Sequence, residues 1–118
     1  MTVAIHSYVN KKASIAKAAS QSTVIDSEGF TAIGICMPAV WTAASISFLV
    51  AATEDGPWLP LYDIQGNEVI IVADVDEAFT VSPTLTPWRF FKIRSGVAAT
   101  PVVQGDERVF NLAMKEGR

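Results

Sequence analysis

Apolar side chains recur at every second position in three separate runs, and that period excludes most architectures open to a chain of this size. In Ser45-Ile46-Ser47-Phe48-Leu49-Val50, the residues Ile46, Phe48 and Val50 share one face. In Arg89-Phe90-Phe91-Lys92-Ile93-Arg94, Phe91 and Ile93 point one way while Lys92 and Arg94 point the other. In Arg108-Val109-Phe110-Asn111-Leu112-Ala113, Phe110 and Leu112 take the core side. Successive side chains of a strand leave opposite faces, so period two with one polar face is the mark of an antiparallel sheet packed on one side. A length of 118 residues supplies one core and no second domain.

The rest of the chain continues the pattern. Candidate strands, rich in β-branched and aromatic residues, are Thr2–Val9, Ser22–Ile25, Phe30–Met37, Ala44–Ala52, Trp58–Tyr62, Val69–Val72, Ala78–Val81, Arg89–Arg94 and Val109–Met114. Glu54-Asp55-Gly56-Pro57 and Gln65-Gly66-Asn67 carry turn chemistry, and Ser95-Gly96 closes a strand. Pro38, Pro60, Pro83, Pro87 and Pro101 bar central-strand pairing where they stand. Helical periodicity is weak except in NKKASIAKAAS, residues 10–20, which reads as a short helix or an extended arm. The expectation is therefore an all-β, antiparallel two-sheet sandwich, jelly-roll-like, over residues 21–118, with an N-terminal arm over 1–20.

Charge is segregated. Residues 1–20 hold Lys11, Lys12 and Lys17 and no acid. Between Lys17 and Arg89 there is no Lys or Arg, but there are nine acids: Asp26, Glu28, Glu54, Asp55, Asp63, Glu68, Asp74, Asp76 and Glu77. The last stretch is basic again, with Arg89, Lys92, Arg94, Arg108, Lys115 and Arg118. A packed monomer neutralises such a pattern internally; a repeating assembly lays basic termini on acidic faces of its neighbours. The candidate assembly contacts are Lys11, Lys12 and Lys17 on one side and Asp74, Asp76 and Glu77 on the other. Charged residues make up 18% and hydrophobic ones 50% of the chain, against about 25% charged in an average domain, which points to apolar surface buried between subunits. A net charge of -3 with no basic stripe among aromatics speaks against nucleic acid.

Little in the sequence supports catalysis. Cys36, in the run TAIGICMP, is expected to behave as a small buried hydrophobe, and the lone His6 is far from it. There is no His cluster, Cys pair, Gly-rich phosphate loop or nucleophile motif. Asp74-Val75-Asp76-Glu77 lacks the alternating oxygen ligands and glycine of a calcium loop and reads as a solvated acidic turn. No metal or other cofactor is expected. The N-terminus shows no secretory pattern, and the longest apolar runs are too short to span a membrane.

The motifs also occur in a suggestive order: Ile25-Asp26-Ser27-Glu28-Gly29-Phe30, Ile33-Gly34-Ile35-Cys36-Met37-Pro38, Trp41-Thr42-Ala43-Ala44, Glu54-Asp55-Gly56, Leu61-Tyr62-Asp63, Gly66-Asn67-Glu68-Val69 and Phe91-Lys92-Ile93-Arg94-Ser95-Gly96. Over roughly residues 22–113 this resembles small tailed-phage and prophage virion proteins with a jelly-roll, galactose-binding-like sandwich. The most specific part is the apolar–Pro38–Trp41-Thr42-Ala43-Ala44 pattern followed by a strand and an acidic–Gly turn. The resemblance implies a non-enzymatic virion subunit, assembled in the host cytoplasm. Head decoration is the first expectation, through contact with the major capsid protein and with other copies, a trimer among the arrangements. A tail, neck or fibre-base position is the alternative. Galactose-binding-like sandwiches also bind sugars with loop aromatics, for which Trp41, Trp58, Tyr62 and Trp88 beside Asp55 are the candidates. Two aromatic faces in one open cleft would favour sugar, whereas buried rings would favour packing.

Overall fold

The computed structural model describes residues 8–28, 30–81, 85 and 87–116, and within them nine strands and no α-helix. His6, Gly29, Pro83, Arg118 and the start of the first expected strand lie outside the described residues. The strands are β1 (Tyr8–Ile15), β2 (Ile25–Asp26), β3 (Phe30–Cys36), β4 (Ile46–Ala51), β5 (Leu59–Pro60), β6 (Ile70–Ile71), β7 (Ala78–Thr80), β8 (Phe90–Ser95) and β9 (Arg108–Glu116). One sheet has the order β1-β9-β3-β7; the other has β2-β8-β4-β5, with β6 also on β4. Every pairing is antiparallel. This is the all-β two-sheet sandwich that the alternation demands. Outside the β4–β6 stretch, consecutive strands lie in opposite sheets.

The core forms where the inward faces meet. Phe48, Phe91 and Phe110 are fully buried, along with Ile33, Ile35, Ile46, Ile93, Leu112 and Met114. Phe48 and Phe91 meet edge to face, with ring centroids 6.3 Å apart. Each such side chain contributes roughly 1.5–3 kcal/mol of transfer free energy. The inward residues of β4, β8 and β9 are those picked out by their period.

Three expectations need correction. Residues 10–15 are neither a helix nor a separate arm. They complete β1, which pairs with β9 along its full length from Tyr8↔Lys115 to Ile15↔Arg108. Ala13 and Ile15 from this strand are buried in the core. The Ala- and Lys-rich composition favours a helix locally, but a sheet edge with a buried face outweighs that weak preference. Second, Cys36 is exposed. Ile33, Ile35 and Met37 take the inward positions of that segment, so the even-numbered Cys36 falls on the outer face. Third, the polar side of β8 is not solvated at Arg94: its side chain is only 6% exposed and pairs with Glu68.

Gly96 ends β8 as expected, and the reason is steric. Its φ is +89°, and a Cβ there would stand 2.5 Å from the Thr100 carbonyl oxygen and 2.7 Å from the Val102 nitrogen. The Gly96 N–H donates to Ser45 O, and its carbonyl accepts from the Ser47 hydroxyl at 2.7 Å. Gly96→Ala therefore combines left-handed strain with a backbone clash, and is expected to cost about 3 kcal/mol in urea unfolding.

Candidate functional site

The clearest protruding feature grows out of the edge of the β4 sheet. Between β5 and β6 the chain makes a hairpin, with Tyr62 paired to Glu68 and the Val69 N–H donating to Leu61 O. Asp63 builds its tip. The Asp63 carboxylate accepts from the N–H groups of Gln65 and Asn67 at 2.9 and 3.0 Å, while its own N–H donates to Asn67 O. This is an Asx turn, in which the side chain bonds the backbone ahead of it and favours the tight reversal. Leu61 points inward and is buried. Tyr62 and Ile70 are about half exposed, Val72 is 89% exposed, and Ile64 at the tip is 99% exposed.

A buried ion pair fastens the hairpin to the sheet. Arg94 on β8 donates from one terminal nitrogen to Glu68 Oε2 at 2.7 Å and from Nε to Ser47 Oγ at 2.9 Å. Glu68 also accepts from the Ala98 N–H at 3.0 Å. Arg94, Ser47 and Glu68 thus satisfy one another on the outer face of the sheet, and link the hairpin to the loop after β8.

The β1-β9-β3-β7 sheet presents a different surface. Its outward positions are Tyr8, Asn10, Lys12 and Ser14 on β1, Val109, Asn111, Ala113 and Lys115 on β9, Gly34 and Cys36 on β3, and Ala78 and Thr80 on β7. Asn10, Ala113, Gly34 and Thr80 stand in one row across the four strands. Because Gly34 and Ala113 are small, the row sinks into a trough of about 240 Å³, bordered by Tyr8 and Lys115. The Lys115 ammonium sits 5.8 Å from the Tyr8 ring centroid.

The basic candidates are not equivalent. Lys11 is spent within the chain, donating to Glu28 at 2.9 Å and to the Asp26 carbonyl at 2.8 Å. Lys12 and Lys17 are exposed, Lys12 on the outer face of β1. The acids Asp74, Asp76 and Glu77 form an exposed turn whose carboxylates cap their own backbone: Glu77 accepts from the Asp74 N–H and Asp74 from the Val75 N–H. Among the described residues no three His, Cys, Asp or Glu side chains converge as metal ligands. Part of the charge segregation is thus cancelled internally, through Lys11–Glu28, Arg89–Asp26 and Arg94–Glu68.

The aromatic candidates are dispersed in role. Trp41 and Trp88 pack against the core. Trp41 meets Phe110 edge to face at 5.5 Å and donates its indole N–H to Ala44 O, as a strand-end cap does. Trp58 is half-buried, and the Lys92 ammonium lies 4.5 Å from its ring centroid. Tyr62 belongs to the hairpin, and Asp55 is exposed in the β4–β5 turn. Trp41 also lines an open pocket of about 400 Å³ with Ala43, Ala44, Ser45, Val72, Ala73 and Asp74.

Sequence reasoning missed Gln104. Fully buried, it accepts from the Thr42 N–H and from Arg108 Nε, and donates to Thr42 O and Ser95 Oγ. A polar residue between Val103 and Gly105, in a turn-like stretch, gives no sign of burial. The hub ties the 41–44 segment to β8 and β9, so its role is structural.

No family model and no curated protein matches the chain. Among solved structures, the crystal structure of the SPBc2 prophage-derived protein YomS is similar over 98% of this chain and 98% of that one, with a TM-score of 0.64 and 11% sequence identity. At that identity the likeness is one of fold.

Two tests follow from these contacts. Glu68→Ala leaves the Arg94 guanidinium buried without its carboxylate, and should lower unfolding free energy by about 3 kcal/mol in urea titrations. The second concerns acid. The Arg89 guanidinium, donating to both Asp26 oxygens, holds that carboxyl below its ordinary value of 3.8, with smaller help from the Glu28 N–H and Lys11 and against a partial-burial effect. A lowered carboxyl pKa stabilises the fold above the unfolded value, and that contribution is lost as pH falls through the folded value. The stability gap between wild type and Arg89→Gln should therefore be present at neutral pH and close below pH 3.8.

Proposed function

We propose that this chain is a structural subunit of a bacteriophage virion, acting by binding and assembly rather than by catalysis. The observation that carries the reading is the end-to-end fold match with a prophage-derived protein, covering 98% of both chains. The strand order adds to it. Orders β1-β9-β3-β7 and β2-β8-β4-β5, with the chain crossing between sheets, support a jelly-roll reading, an architecture found in viral capsid proteins. The exposed apolar hairpin and the small-residue outer face are surfaces that suit contact with other proteins.

Within the virion, head decoration is the favoured position. The chain would bind the major capsid protein and further copies of itself, with exposed Lys12 and Lys17 available to acidic neighbours. Residues 8–15 belong to the sandwich, so Lys12 would act from a strand of the folded domain.

The test is compositional and spatial. Mass spectrometry of gradient-purified particles of the phage that encodes this chain should find it in fixed ratio to the major capsid protein, and density maps should place it on the head. Absence from purified particles overturns the reading. Density at the tail, neck or fibre base keeps the virion role and overturns the head position.

A further inference from the structure

Two surfaces of this chain carry opposite charge. The first is the β5–β6 hairpin and the turn after it. Tyr62, Ile64, Ile70 and Val72, with Leu59 on β5, are its exposed apolar side chains, and the Asp63 carboxylate ties its tip through two backbone N–H groups. Every charged residue from 59 to 77 is an acid, and among the described residues Glu68 alone of these pairs with a base. The second is the outer face of the β1-β9-β3-β7 sheet. Its described outward positions carry Lys12 and Lys115 and no acid.

The trough in that face has the size and floor for one inserted side chain. At about 240 Å³ it is smaller than the roughly 300 Å³ at which small-molecule pockets begin. Its floor contains Gly34, a glycine that the fold does not require. The φ of Gly34 is not in the left-handed region, and an added Cβ would meet its nearest neighbours, Ala113 and Phe79 O, at an ordinary 3.8 Å. A glycine inside a strand weakens it, and commonly marks a place where something approaches the backbone closely.

We propose that the acidic hairpin of one copy seats on the basic outer sheet face of a second copy, with Ile64 entering the trough over Gly34 and Ala113. This deepens the virion-subunit reading and rests on it. Because the two surfaces differ, the contact is head to tail, and copies joined this way close into a ring or extend as a filament. The apolar insertion supplies the affinity, and the opposite charges set orientation and rate of encounter.

Two substitutions test it without touching the core. Ile64→Asp alters the exposed tip, and Gly34→Leu fills the trough at a position with room for a side chain. Sedimentation of the purified wild-type chain should show species above monomer. Each variant alone should be monomeric, with thermal unfolding close to that of wild type for Ile64→Asp. Should Gly34→Leu fold poorly, Lys115→Glu together with Lys12→Glu on the same face serves in its place. Mixing the two monomeric variants is decisive. One retains a free trough and the other a free hairpin, so the mixture should form a heterodimer and nothing larger.

A mixture that stays monomeric overturns the contact, as does either variant keeping the wild-type mass. A wild-type chain that remains monomeric up to about 1 mM, where association is worth only about 4 kcal/mol, overturns it as well. These outcomes are separable from the virion reading, which stands or falls on the presence of the chain in particles.

Discussion

The structure depends on the meeting of two inward sheet faces around Phe48, Phe91 and Phe110. Once those rings are buried, the register of each sheet is settled, because a slip by one residue would turn the rings into water and bring the outward set into the core. Everything else follows from how each sheet then treats its second face. The β2-β8-β4-β5 sheet buries much of it: all six residues of β4 are buried, Ser47, Leu49 and Ala51 on the outer side included. The β1-β9-β3-β7 sheet leaves its outer face open, with small residues and a basic margin.

That asymmetry explains the Arg94–Glu68 pair. A guanidinium on a covered sheet face loses water and needs a carboxylate with good geometry. Glu68 provides it from the hairpin, and the bond holds the hairpin against the sheet. The same contact that solves a burial problem thereby presents Ile64 and its apolar neighbours to solvent on a rigid support. Gln104 does comparable work at the same end of β8 but on the other face of the strand, pairing with Thr42, Ser95 and Arg108.

How well the sequence could be read varied by element. The strands around Phe48, Phe91 and Phe110 were legible because each buries one face, and burial imposes period two on the side chains. β1 was not. Its inward positions are Val9, Lys11, Ala13 and Ile15, and a lysine and an alanine there erase the apolar alternation. Lys11 tolerates its place because Glu28 and the Asp26 carbonyl receive its ammonium, contacts made across a turn and invisible to local pattern. Cys36 was misjudged because a short apolar run does not reveal which of its two faces is buried. Of the candidate contacts, Lys12, Lys17 and the 74–77 turn were placed on the surface, whereas Lys11 was drawn into an internal pair. The turn at Gln65-Gly66-Asn67 and its flanking strands are legible in the sequence, but the exposed apolar side of that hairpin and the Gly34 trough are not, since exposure of an apolar side chain is set by what the rest of the chain leaves uncovered.

Local pattern suffices for the secondary-structure class, the position of the turns and the identity of the core phenylalanines. These rest on short-range facts: strand period, the φ range open to glycine, and the missing proline N–H. Which charges cancel, which polar side chains are buried and which apolar ones remain outside is settled when the two sheets pack. Those outcomes depend on distances between residues far apart in the chain, such as Glu68 and Arg94 or Gln104 and Thr42, and solvation is a property of the assembled surface rather than of any local run.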